Sequence, residues 1–148
     1  MIVDTLRFGP VEIDGDRLIT FAKGLLGFSR YKRFVLIQSD RESCFWWLQS
    51  IETSDLAFVV TDPSLFVTTY QVPIRPEQMQ GIGLESLEDA QVLVIVNKRD
   101  DVLTGNLQGP LLVHLQNRMA EQLVLTDRQF TTCTPLMKLE SNVEAMAV

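Results

Sequence analysis

The chain has 148 residues, the size of one domain, and 46% of them are hydrophobic against 22% charged, which excludes a disordered polymer. Its 13 basic and 19 acidic residues leave a net charge of −6, a field that repels polyanions and argues against direct nucleic-acid binding. Two cysteines are too few for a disulfide framework, and no stretch approaches the ~20 apolar residues of a membrane span, so a cytoplasmic protein with reduced thiols and no membrane contact is expected. The opening MIVDTLRFGP carries Asp4 and no long apolar run, and does not read as a signal peptide.

In chain order, Ile2 to Phe8 alternates loosely, Gly9-Pro10 punctuates, and Val11 to Ile13 leads to Asp14-Gly15, a dipeptide that favours a tight hairpin turn. Leu18 to Phe21 reads as the returning strand. The segment Ala22 to Phe28 holds two glycines around two leucines but lacks the spacing of a phosphate loop. It reads either as a turn that lays Leu25, Leu26 and Phe28 on the body or as a loop presenting Leu26 and Phe28 to a partner. A local basic stretch, Ser29 to Arg33, precedes the strand Phe34 to Ser39.

The central feature is a pair of strands, Cys44 to Ser50 and Leu56 to Asp62, joined by the polar link Ile51 to Asp55. Side chains alternate along a strand, so Phe45 and Trp47 share one face while Trp46 and Leu48 share the other, and both faces are apolar. Such a hairpin belongs at the centre of a small barrel or sandwich, or covers a core on one side and meets a partner on the other. Asp62-Pro63 ends the second strand, because proline fixes φ and donates nothing to a ladder. Ser64 to Ile74 is expected to form an edge strand, and Pro76 to Leu87 a short helix interrupted by Gly81 and Gly83. Glu85, Glu88 and Asp89 read as a solvated acidic face.

Gln91 to Asn97 is a continuous apolar run of strand length and is predicted to be buried. Lys98 to Asp101 makes a turn, Val102 to Gly105 re-enters, Asn106 to Pro110 loops, and Leu111 to Gln116 follows. Asn117 to Glu121 is expected to turn and Gln122 to Thr126 to form the last strand, leaving a polar tail from Lys138 to Val148. About ten short strands and at most two short helices, without repeats or a linker, predict a mainly β fold: a single antiparallel β-barrel or roll over residues 1–137.

The sequence carries no GxSxG, HExxH, Walker loop, dinucleotide fingerprint or Cys/His metal spacing, so no catalytic, cofactor-binding or metal-binding residue is assigned. Glu52, Asp62, Asp100 and Asp101 are the carboxylates that a fold would have to bring together for acid/base work. The alternative they leave open is a small β-barrel ligand-binder or enzyme with a carboxylate-lined pocket. His114 lies in an alternating strand without a marked companion and reads as a lone imidazole. Arg30 to Arg33 with neighbouring aromatics is the counter-reading for nucleic acid.

Taken together, GLLGF (Gly24 to Phe28) with Phe34, FWWLQS (Phe45 to Ser50), LAFVVTDP (Leu56 to Pro63) with Tyr70, NLQGP (Asn106 to Pro110), Gln122 and the TPL of Thr134 to Leu136 resemble the flagellar assembly factor FliW family. The resemblance spans about residues 2–137. The chain departs from the family pattern at Leu26, where proline is common, at Ala120-Glu121, which replaces a glycine-containing turn, and at Cys133, where a basic residue is typical. The resemblance implies a non-enzymatic cytoplasmic β-barrel, a monomer without cofactors. It would chaperone flagellin and antagonise the translational regulator CsrA, so that flagellin and CsrA are the partners in a switch controlling flagellin synthesis. The positions carried over for protein binding are Leu26, Phe28, Trp46, Trp47, Gln49, Ser50, Asp62, Tyr70, Asn106 and Pro110. Trp46 and Trp47 read either as both covered by the barrel and nearby loops or as supplying, in one of them, an anchor for a partner; Gln49 and Ser50 are candidates to cap a strand end, and Asn106 to hold its own loop.

Overall fold

In the computed structural model, which describes residues 1–38 and 40–139, eleven strands dominate. β1 (Ile2–Thr5) and β2 (Gly9–Glu12) form a separate antiparallel hairpin, and β3 (Ile19–Phe21), β4 (Arg33–Ile37), β5 (Phe45–Ser50) and β6 (Ala57–Thr61) follow. Next come the helix α1 (Pro76–Gly81) and the strands β7 (Ala90–Arg99), β8 (Val102–Gly105), β9 (Leu111–His114), β10 (Met119–Gln122) and β11 (Thr134–Lys138). Single 3-10 turns at Gly15–Arg17, Pro63–Leu65 and Leu87–Asp89 complete the helical content of the described residues.

The pairings close on themselves. β7 joins β6, then β5, β4, β3, β10 and β9 in turn, and β9 returns to β7. β7 makes this closure possible by its length of ten residues. Ala90 to Leu93 pair with β9, Val94 to Val96 with β6, and Val96 to Arg99 with β8, so its last third projects with β8 and β11 as a ribbon beyond the ring. The expected barrel or roll is present, with one departure from an all-antiparallel design: β10 runs parallel to β3.

Strand alternation divides the apolar side chains into an inside and an outside. Inside, Phe34, Leu48, Val60, Leu93, Leu111 and Val113 are buried with Ile19, Phe21 and Leu25, and fill the ring. Outside, β7 and β9 present Val92 and Leu112 to Ile82 and Leu84 beneath α1, while Val94 lies under Leu107, Leu125, Phe130 and Tyr70. The helix begins at Pro76, where a missing N–H costs nothing, and the Arg75 backbone N–H is satisfied by Gln78 Oε1 at 2.8 Å. Both faces of the central sheet are therefore covered, as a doubly apolar hairpin requires.

Several expectations are corrected. Asp14-Gly15 opens a 3-10 turn, and the tight turn lies earlier, at Leu6 to Phe8, where Thr5 Oγ1 accepts from the Phe8 N–H and donates to the Gly9 carbonyl, both at 2.8 Å. Ser64 to Ile74 is not an edge strand. Asp62 caps the 3-10 turn that starts at Pro63, the Val67 N–H continues it to the Pro63 carbonyl at 2.9 Å, and the apolar residues beyond are spent covering Val94. The strand expected at Gln122 to Thr126 lies earlier, as β10, in residues expected to turn, and β11 is a further strand beyond the one expected to be last. Of the residues named for the polar tail, Lys138 belongs to β11; residues 140–148, like Ser39 at the end of the expected fourth strand, lie outside the described residues.

Candidate functional site

The expected binding positions divide between the two ends of the ring and its outer wall. At the first end, the turn after β3 folds over the opening. Gly24 has φ +69, and a Cβ there would sit 2.5 Å from the Ser29 Cα, so the turn requires glycine. Leu25 and Phe28 form a bridge; Leu25 enters the core while Phe28 packs edge-on against Phe58 with ring centroids 5.2 Å apart. The same turn leaves Leu26 62% exposed and Phe28 38% exposed. The one segment thus both closes the barrel and shows apolar side chains outward, combining the two readings of it.

Gln122 ties this turn to the loop before β9. Its Oε1 accepts the Leu26 N–H at 2.8 Å, and its Nε2 donates to the Gly109 carbonyl at 3.0 Å. Asn106 holds the loop from within, its Oδ1 accepting the Gly109 N–H at 2.9 Å, and Pro110 is buried with its carbonyl accepting from the Leu123 N–H. A Cβ on Gly109 would lie 3.0 Å from both the Asn106 and Gln122 amide nitrogens. Leu26, Asn106 and Pro110 are therefore gathered around Gln122, the member of the group that was not singled out as a site residue. Its one sequence signal was a polar residue heading an apolar strand.

The opposite end is a shallow mouth. Leu36, Trp46 and Leu93 form the floor of a recess of about 440 Å³, and Gln38, Arg41, Ser43, Asp62 and Gln91 surround it with Leu65, which is 60% exposed. Strand register explains the convergence: Trp46 on β5 stands opposite Val60 on β6, and Leu36 on β4 stands opposite Leu48 on β5, so all face inward. Asp62 is locally engaged, its Oδ1 accepting the Ser64 N–H at 2.9 Å and the Ser64 hydroxyl at 2.7 Å. Trp46 and Asp62 are thus brought together with Leu36, Leu65 and Leu93. Their alignment depends on which strands pair, which spacing alone does not reveal.

The remaining positions lie elsewhere. Trp47 points outward beneath the β1–β2 hairpin, with the Arg7 guanidinium 3.9 Å from its ring centroid and Phe8 edge-on at 6.3 Å. Gln49 and Ser50 are 1% and 0% exposed. The Gln49 amide donates to the Ser50 and Leu56 carbonyls at 3.0 and 3.2 Å, and Ser50 Oγ accepts the Glu52 and Thr53 N–H groups at 3.0 and 3.1 Å, so both side chains organise the β5–β6 turn. The Tyr70 hydroxyl donates to the Leu107 carbonyl at 2.7 Å, its ring meets Phe130 edge-on, and burial pushes its pKa up to about 12.

The carboxylates considered for acid/base work lie in three separate turns. Glu52, beyond β5, accepts the Arg33 and Lys32 N–H groups at 2.9 and 2.6 Å, and these bonds, Arg33 first, hold its pKa below the ordinary glutamate value. Asp62 caps its own turn, and Asp101, in the β7–β8 turn beside Asp100, is 3.8 Å from Lys138. Among the described residues, those that fill the ring are aliphatic and aromatic, and the four carboxylates considered are not gathered in it. Among the described residues, no group of three or more His, Cys, Asp or Glu side chains is placed to hold a metal ion. No helix among the described residues is long and apolar enough to cross a membrane.

The model of the FliW protein family matches residues 2–136. The chain belongs to the FliW family. The flagellar assembly factor FliW of Natranaerobius thermophilus is 36% identical over 139 residues, covering 92% of each chain. That of Leptospira interrogans is 38% identical over 125 residues, 82% of this chain and 83% of its own. That of Bdellovibrio bacteriovorus is 36% identical over 146 residues, 97% and 83% respectively. A crystal structure of a flagellar assembly factor FliW superposes with a TM-score of 0.85 at 28% identity, over 93% of this chain and 97% of that one. The FliW likeness thus spans the whole ring and both of its ends.

Proposed function

We propose that this chain is a cytoplasmic, non-enzymatic flagellar assembly factor that works by holding other proteins. It binds newly made flagellin as a chaperone and, in competition with it, binds the RNA-binding regulator CsrA; flagellin accumulation frees CsrA to repress flagellin translation. The observation that carries this reading is the FliW family match along residues 2–136, with relatives named flagellar assembly factors over nearly their full length. Physical features agree with it. A net charge of −6 suits a basic regulator, and the apolar side chains at both ends suit a sticky export substrate.

The exposed members of the carried-over set, Leu26 and Phe28 at one end and the rim around Trp46 and Asp62 at the other, are the contact candidates. Asn106 and Pro110 hold the loop beside Leu26, Gln49 and Ser50 organise the β5–β6 turn, and Trp47 and Tyr70 pack on the outer wall. The deciding experiment titrates labelled CsrA with the purified protein, with and without monomeric flagellin. Stoichiometric complexes with each partner, and displacement of CsrA as flagellin is added, are the expected results. Absence of binding to both partners at micromolar concentrations refutes the proposal.

A further inference from the structure

We infer that the mouth floored by Leu36, Trp46 and Leu93 is a docking site for a basic protein segment that inserts one large apolar side chain. The inference rests on the reading that the chain holds a basic regulator, and it assigns that partner to one end of the barrel. Two recesses meet there. The first is the one containing Trp46; the second, of about 260 Å³, is lined by Glu12, Ile13, Asp14 and Arg17, and Leu36 belongs to both. Together they form an apolar trough flanked by charge.

The charge has a sign. Glu12, Asp14 and Asp62 line the trough, and Asp40 and Glu42 stand exposed on the turn that carries Arg41 and Ser43. Five carboxylates therefore stand around the trough against three cations, the Arg17 and Arg41 guanidiniums and the Met1 ammonium, which lies 3.4 Å from Glu12. An acidic rim around an apolar floor is complementary to lysine or arginine on either side of a hydrophobic anchor, an arrangement in which the rim steers and the buried side chain holds. An acidic or purely polar segment gains neither. The floor suits a long aliphatic or aromatic anchor, since Trp46 and Leu93 already pack against the core and leave the space above them open.

The test uses two variants with the same change in net charge at opposite ends. Asp14→Lys/Leu65→Arg alters the mouth at two exposed side chains, and Asp14 makes no capping hydrogen bond. Asp55→Lys/Val124→Arg alters the other end at two exposed side chains outside the contact candidates, in the β5–β6 turn and just after β10. Each is titrated with CsrA, with thermal melts confirming the fold and Asp14→Lys alone measured should the double variant unfold. The mouth variant is expected to weaken binding at least ~10-fold, with the matched variant within ~3-fold of the parent. Raising the salt is expected to weaken the parent more than the mouth variant. Equal losses at both ends, or unchanged binding by the mouth variant, overturn the assignment while leaving the proposed function standing. A parent protein that binds no CsrA removes both.

Discussion

Single side chains explain why the loops of this small barrel are fixed. Gly24 has no substitute, because a Cβ would meet backbone atoms of Ser29 that have nowhere to move. Gly24→Ala is expected to destabilise the protein by about 3 kcal/mol or prevent folding, read from urea denaturation. Gln122 serves two loops at once, and Gln122→Ala is expected to cost about 1–2 kcal/mol by leaving the Leu26 N–H and the Gly109 carbonyl without that partner. Glu52 gives a pH signature. Its pKa is lowered in the folded state by the Arg33 and Lys32 N–H groups, so its contribution is present above the unfolded value of 4.5 and is lost as pH falls through the folded one. Glu52→Gln should therefore be less stable than the parent at neutral pH, with the gap closing in acid; a pH-independent difference contradicts this account.

At the scale of elements, the central strands were legible because composition and pairing agree. β5 and β6 carry aromatic and β-branched residues along their length, and β7 is a continuous apolar run, so local preference already names the state that the fold uses. β10 is the opposite case. Its sequence MAEQ has little strand character, and it is extended because β9 and β3 supply partners on both edges. β11 contains Pro135 and a register shift before Met137, so it reads as a loop until β8 is placed beside it. The segment from Phe66 to Ile74 misleads for the converse reason: its alternating apolar residues are real, yet they cover the outside of β7 without pairing. Leu48→Ala, in the middle of β5 and 1% exposed, is expected to cost about 3 kcal/mol in the same denaturation assay.

At the scale of the molecule, closure governs rigidity. The β1–β2 hairpin is tied to the ring by a backbone hydrogen bond, the Leu6 N–H to the Ser54 carbonyl at 2.9 Å, by Arg7 and Phe8 on Trp47, and by the buried Val3 and Thr5 on β1. Amide hydrogen exchange is therefore expected to be slowest in β4 to β7 and appreciably faster in β1 and β2; equal protection argues against a separable hairpin. The two ends were only half legible. Leu26, Phe28, Trp46 and Asp62 were recognisable as positions, but the convergence of Leu36, Leu65 and Leu93 on Trp46, and of three motifs on Gln122, exists only after the ring has closed.

The overlong β7 has a practical corollary. Its final residues, with β8 and β11, stand clear of the ring like an outrigger, tipped by Asp100 in a left-handed conformation. A fluorophore or short epitope grafted at that tip would report on the protein at arm's length from both ends of the ring, a handle that leaves Leu26, Phe28, Trp46 and Asp62 untouched.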